Sequence, residues 1–199
     1  MSARANGVTS GCRRERERMV FSVPTENVIQ LGFGAIKGIN RALVEAIVSE
    51  REANGPFEDI FDFAARVEGV NSRIFESMVR AGAFDSIDAD RGKLFSNISN
   101  ALQGARVRQS AGQDSLFGGE ETKKIVNWVE GEQWSFRRNL EEEMTAFGFA
   151  LSGHFFDEYK DDLRAIGCMS LDELQVSKDN VCVGGVISSI RQINGKRGV

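Results

Sequence analysis

With 199 residues, 41% of them hydrophobic, the chain has room for one large or two small domains and too much apolar content to be disordered throughout. Its formal net charge of −4 argues against a free-standing, high-affinity nucleic-acid binder, because non-specific affinity comes mainly from phosphate neutralisation by Lys and Arg. Cys12, Cys168 and Cys182 lie far apart in sequence and His154 is the only histidine, which argues against a zinc site and a disulfide framework.

Residues 1–20 carry Arg13, Arg14, Arg16 and Arg18 without apolar periodicity, and they read as an irregular leader. They also lack the apolar core of a secretory signal, and no run elsewhere approaches membrane-spanning length. The expected location is cytoplasmic, with no membrane partner.

The next domain is expected over 21–108, compact and helical from Val28. Within it one pattern occurs twice, starting at Ile36 and again at Val67. Gly38 and Gly69, Asn40 and Asn71, Glu45 and Glu76, and Val48 and Val79 are identical pairs, and the apolar positions between them agree in kind. Each copy predicts a Gly turn flanked by aliphatics, then Asn as N-cap, then a helix. Leu43 and Ile47 form the first apolar stripe; Ile74 and Met78 form the second. A Gly-hinged turn opening into a helix N-terminus leaves backbone N–H groups unpaired at the positive end of a helix dipole. That is a phosphate cradle, and two in tandem suggest a nucleic-acid backbone. A helix over 60–67 is expected to join the copies, with Phe57, Ile60, Phe61, Phe63 and Phe75 as core, and the helix after Asn71 is expected to end at Gly82.

Leu94, Ile98 and Leu102 predict a further helix over 93–107. It would carry Arg91, Lys93, Arg106 and Arg108, a basic run without an acid, whose ordinary reading is a solvated helix face. Residues 109–127 read as a linker around the apolar pair Leu116-Phe117. A helical connector follows over 128–178, with one helix at 136–147 containing Glu141, Glu142 and Glu143 and another at about 157–166. From 179 to 199 the chain alternates and is β-branched before Asn194-Gly195, as in one strand and a hairpin turn. A lone strand cannot bury a sheet face. The chain is therefore expected to stop just inside a β-domain.

Catalytic candidates are poor. Asp88 and Asp90 have a spacing used by two-metal sites but fall in a turn between helices, where capping is the simpler role. His154 has no nucleophile or orienting acid near it in sequence.

The matched copies and the helix between them resemble the tandem helix-hairpin-helix fold of sequence-independent DNA-binding modules. Gln113, Asp114, Ser115, Leu116 and Phe117 resemble the short peptide by which bacterial polymerases and repair factors dock on the sliding clamp. Two apolar side chains would enter a pocket while the glutamine fixes orientation. The alternative is that Leu116-Phe117 folds back on the preceding helices.

In order along the chain, Leu31-Gly32-Phe33-Gly34-Ala35-Ile36-Lys37-Gly38, Glu52-Ala53-Asn54-Gly55-Pro56-Phe57, Phe61-Asp62-Phe63, Arg80-Ala81-Gly82-Ala83-Phe84-Asp85, the Gln113 peptide and Gly148-Phe149-Ala150-Leu151-Ser152-Gly153-His154 resemble the C-terminal part of the bacterial replicative DNA polymerase III alpha subunit. The resemblance implies a mainly α fold: a tandem helix-hairpin-helix domain, a linker with a clamp-binding peptide, helices, and the start of an OB-fold truncated after its first strand. It implies DNA contact by Lys37, Gly38, Ile39, Asn40 and Arg41 in the first hairpin and by Gly69, Asn71, Ser72 and Arg73 in the second. It also implies clamp contact by Gln113, Ser115, Leu116 and Phe117. The implied partners are the double-stranded DNA backbone, the sliding clamp and other polymerase III subunits.

No catalytic residue, metal site or cofactor transfers to this chain, because the family's catalytic aspartates and their magnesium belong to a palm this sequence does not contain. The chain is expected to be a non-catalytic fragment that incorporates no nucleotide by itself. Two departures stand out. Glu68 occupies the position of Lys37 in the second copy, and Phe155-Phe156 stands where the family usually has Pro-Leu. Alternative readings are a helix-hairpin-helix module of a repair nuclease or ligase accessory, or a protein-interaction adaptor in which the hairpins only pack.

Overall fold

The phenylalanines at 57, 63, 75 and 84 meet in one aromatic nucleus, and the helices are arranged around it. Phe63 is fully buried and contacts the other three rings, with centroids 5.1 Å from Phe57, 5.4 Å from Phe75 and 5.0 Å from Phe84. The tilted and edge-on geometries are those aromatic quadrupoles favour. The computed structural model describes residues 2–5, 21–25, 28–114, 128–169, 174–176, 180–187 and 189–191. It divides into two compact units, Met1–Ser152 and Gly153–Val199.

The first unit begins with strands β1 (Ser2–Ala5), β2 (Phe21–Thr25) and β3 (Val28–Leu31), in the order β1-β3-β2. β1 runs parallel to β3, pairing Ser2 with Val28 and Ala5 with Leu31, and β2 runs antiparallel to β3. The leader expected to be irregular therefore contributes a strand at Ser2–Ala5, and the helical domain expected from residue 21 opens with two more. Strands of four or five residues paired through backbone groups leave no long periodic side-chain signature.

After a 3-10 turn at Phe33–Ala35 come helices α1 (Arg41–Asn54), α2 (Ile60–Arg66), α3 (Ser72–Arg80) and α4 (Arg91–Asp114). The apolar stripes named by the sequence face inward, although Ile74 of the second is only half-buried: Leu43, Val44, Ile47 and Val48 from α1, Ile60, Phe61, Phe63 and Ala64 from α2, and Phe75, Met78 and Val79 from α3 are buried. α4 packs its Leu94, Ile98, Ala101 and Ala105 face on α2 and α3. It begins two residues earlier than the periodicity predicts, capped by Asp90, whose Oδ1 accepts the Lys93 N–H at 3.0 Å. It also runs on to Asp114, so the first residues assigned to the linker are helical.

Helix α5 (Phe136–Phe147) occupies the residues expected, with Ser135 as N-cap and Gly148 left-handed at φ +93° as C-cap. Its acids are only partly on the surface. Glu143 is fully buried and receives Arg91 Nη1 at 2.9 Å, the Leu151 N–H at 2.6 Å, the Ser152 N–H at 2.8 Å and the Ser152 hydroxyl. Arg91, 8% exposed, also holds Asp85 through two nitrogens, at 2.8 and 2.6 Å. Glu142 accepts a hydrogen bond from Arg138 Nε at 2.7 Å and forms an ion pair with Arg80. This network ties α5 to α3 and α4. Burial pushes the Glu143 carboxyl upward, but the hydrogen bonds from Ser152, Leu151 and Arg91 outweigh it and hold it below the usual range.

Before α5 the chain lies across the start of α4. The Asn97 side chain bonds both the N–H and the carbonyl of Val129 at 2.8 Å. Gly92 permits the approach, since a Cβ there would stand 1.8 Å from the Glu132 carbonyl oxygen. Trp128 meets Phe61 edge-on and Trp134 meets Phe95.

The second unit holds a 3-10 turn at Asp157–Tyr159, helix α6 (Lys160–Ala165), and a parallel bridge between Met169 and Val183. The expected OB-fold strand is not formed among the described residues of 180–191. Partnerless strands leave a whole row of backbone groups unpaired, and one bridge does not satisfy them. The Asn194-Gly195 turn lies outside the described residues.

Candidate nucleic-acid interface

The two sequence copies fold into two matching hairpins. In the first, Ile36 caps the preceding 3-10 turn by donating its N–H to the Phe33 carbonyl at 3.1 Å. In the second, Val67 caps α2 through the Phe63 carbonyl at 3.0 Å. Gly38 then takes φ +88° and Gly69 φ +82°, the left-handed region that favours glycine. Ile39 and Val70 follow, each half-buried against the core. Asn40 and Asn71 stand next in extended backbone at φ −99° and −104°, and their Oδ1 atoms accept the N–H of Leu43 at 2.9 Å and of Ile74 at 3.0 Å.

This geometry leaves donors free at both helix starts. Among the described residues no bond involves the N–H of Gly38, Asn40 or Ala42 in the first hairpin, nor of Gly69, Asn71, Ser72 or Arg73 in the second. Neither α1 nor α3 has an acid in its first turn, whereas α2, which starts from no such hairpin, carries Asp62 there. A Cβ at Gly38 or Gly69 would meet nothing within 4 Å, so each turn faces open space. Free N–H groups, a positive helix end and open space together form a site suited to an anion.

The side chains distribute charge differently from the expected pattern. The Lys37 N–H is donated to Ala146 O at 2.9 Å and its Nζ to Thr145 O at 3.2 Å, so this lysine caps the C-terminus of α5. Arg41 bonds Glu45 at 2.6 Å, with both side chains well exposed. In the second hairpin Ser72 donates its hydroxyl to Glu76 at 2.9 Å, while the exposed Arg73 guanidinium has no partner among the described residues. The hairpin that looked poorer in charge therefore presents the uncommitted cation.

The basic run after residue 90 also changes character. Arg91 is buried on acids, and Lys93 bonds Asp88 at 2.7 Å while lying 4.6 Å above the Trp128 ring. Only Arg106 and Arg108 of that run are exposed. The Lys93 ammonium, with an N–H bond from Asp90, holds the Asp88 carboxyl below its ordinary value. Asp88 and Asp90 are thus occupied with Lys93 and the start of α4 and do not form a cation site. No group of three or more metal-ligating side chains occurs among the described residues, and no helix among them is long and apolar enough to cross a membrane.

Of the four residues expected to meet the clamp, Gln113 lies in the last turn of α4. Ser115, Leu116 and Phe117 lie outside the described residues. Sequence reasoning missed the contribution of α5, whose C-terminal carbonyls hold the first hairpin through Lys37. A lysine beside a Gly turn carries no sign of a partner more than a hundred positions away.

Residues 15–94 match the helix-hairpin-helix motif family. The chain is also similar to curated proteins named DNA polymerase III subunit alpha. It is 38% identical to that of Neisseria meningitidis serogroup B over 85% of this chain and 15% of the relative. It is 32% identical to those of Pseudomonas fluorescens and Vibrio cholerae, over 89% of this chain and 17% and 16% of the relatives.

Proposed function

Because the chain belongs to the DNA polymerase III subunit alpha family, of which it spans about 15% of the relatives' length, we propose that it supplies sequence-independent duplex DNA binding and sliding-clamp docking without catalysis. The observation that carries the reading is the pair of matched hairpins with unpaired N–H groups. Phosphate oxygens of the duplex accept hydrogen bonds from Gly38 and Asn40 in the first cradle and from Gly69 and Asn71 in the second, with Arg73 as the main charged contact. Lys37 positions the first turn from the α5 terminus, and Arg41 reaches phosphate only by releasing Glu45. Backbone donors read no base edge, so binding is independent of sequence. Gln113, Ser115, Leu116 and Phe117 then tether the module to the clamp, raising its effective concentration at the primer terminus, where other polymerase III subunits also assemble.

Fluorescence anisotropy of a labelled duplex over a salt series tests this. The parent binds weakly with a negative salt slope, and Arg73→Ala lowers the magnitude of that slope by about 0.9, one phosphate contact. A folded chain without salt-dependent duplex binding at low ionic strength refutes the reading. The engagement of Lys37 and Arg41 favours a second reading, in which the hairpins only pack and the chain is a protein adaptor. Loss of duplex binding in a folded Gly38→Ile variant excludes it.

A further inference from the structure

The second unit contains a pair that its sequence spacing hides. Cys168 and Cys182 place their Sγ atoms 3.0 Å apart. The backbone holds them there. The Cys168 N–H bonds the Leu163 carbonyl at 2.9 Å where the chain turns out of α6 through Gly167, at φ +84°. The next residue, Met169, donates its N–H to the Cys182 carbonyl at 3.0 Å and bridges Val183. Residues flanking a bridge fall within the Cα separations a disulfide spans. The Cys182 side is exposed and the Cys168 side half-buried, so an oxidant meets Cys182 first.

We propose that Cys168 and Cys182 form an oxidative modification site, converted to an intramolecular disulfide by low-molecular-weight disulfides of the glutathione class. The Cys182 thiolate attacks one sulfur of the oxidant and forms a mixed disulfide, expelling one small thiolate. The Cys168 thiolate then attacks Cys182 Sγ, forming the internal S–S bond and expelling the second. The protein gives up two electrons and two protons, and the oxidant leaves as two small thiols. The S–H···S contact with Cys182, together with burial, holds the Cys168 thiol above its ordinary value, so little of it is thiolate and its part is the second step, where the mixed disulfide already holds Cys182 Sγ beside it. The bond would tie the end of α6 to residues 180–187, which meet the 168–169 backbone at a single bridge among the described residues. In a reducing compartment such a pair rests as thiols and responds to oxidative stress.

The test is incubation of the full chain with oxidised glutathione, acid quench, alkylation and peptide mapping. The expected product is a Cys168–Cys182 cross-link with Cys12 still alkylated, and slower proteolysis within 153–199. A Cys168→Ser variant is expected to accumulate glutathione on Cys182 about ten-fold more than the parent, because the resolving thiol is gone. Stable glutathione adducts on the parent without the cross-link, or a cross-link involving Cys12, overturns the proposal. Because mapping of the parent decides between these outcomes, the result stands even if the variant fails to fold.

Discussion

Replacing Glu143 by Gln probes the joint that holds α5, and with it Lys37 and the first hairpin. Four donors converge on this carboxylate: Arg91, the N–H groups of Leu151 and Ser152, and the Ser152 hydroxyl. Glutamine keeps the volume but offers one acceptor oxygen, and its NH2 group faces donors. Two of the four bonds are lost. Charge-assisted bonds contribute about 1.5–3 kcal/mol each, so the loss is about 3–6 kcal/mol, which overlaps the roughly 3–5 kcal/mol found for breaking a buried ion pair. For a domain of this size each kcal/mol lowers Tm by about 2–4 °C. Calorimetry should therefore show a fall of at least about 6 °C.

The same experiment has a pH arm. The folded Glu143 carboxyl sits below its unfolded value, so its stabilisation is complete above the ordinary glutamate range and is lost as pH falls through the folded value. The Gln variant lacks this titration, and the other carboxylates cancel in the difference. The Tm gap between parent and variant should narrow on acidification. A fall under about 2 °C at neutral pH, or a gap that stays constant into acid, refutes the assignment of Glu143 as an ionised buried anchor.

Gly92→Ala should separate the 128–134 segment from α4, because its Cβ would fall 1.8 Å from the Glu132 carbonyl and 2.9 Å from Trp134 Cδ1. A red shift in tryptophan emission and a loss of about 1–3 kcal/mol are expected, and unchanged emission counts against the contact. Asn40→Ala and Asn71→Ala should each lower stability in urea by about 1 kcal/mol and by similar amounts, since the two caps match to within a tenth of an ångström. A gap well above that average denies the equivalence of the hairpins. Calorimetric titration into a bacterial sliding clamp should show binding by the parent that vanishes in a Leu116→Ala, Phe117→Ala double variant; no binding by the folded parent removes clamp docking.

The hairpins were legible because their geometry depends on two residue types that leave a mark. Positive φ demands Gly38 and Gly69, and the free helix start demands Asn40 and Asn71. The helical stripes were legible for the same reason, as local periodicity recorded in side chains. What escaped was pairing across distance. Glu142 and Glu143 are only part of an acidic stretch in sequence until α3 and α4 bring Arg80 and Arg91 to them. Lys93 looks like part of a basic face until Asp88 takes its charge. Cys168 and Cys182 look unrelated until a bridge at Met169 aligns their backbones. The three strands escaped because ladders are made by backbone groups that every residue carries.

The charge pattern of the hairpins bears on how the module would work. A free-standing binder would present its cations unpaired, yet Lys37 lies on the α5 terminus and Arg41 on Glu45. What both copies retain is the neutral part of the cradle, namely backbone donors and a helix end without an acid. Each such terminus contributes about 0.3–1 kcal/mol toward an anion at low salt, and two of them do not hold a duplex at physiological salt. On the proposed reading, an arrangement this weak would slide along DNA, because no single contact is costly to release, and it would hold only when something else keeps it near the backbone. Clamp docking would meet that need, since a tether converts a weak bimolecular contact into an intramolecular one at high effective concentration. On the proposed reading, weak hairpins and a docking peptide on one chain would make a consistent device, with the hairpins orienting the duplex while the tether supplies persistence.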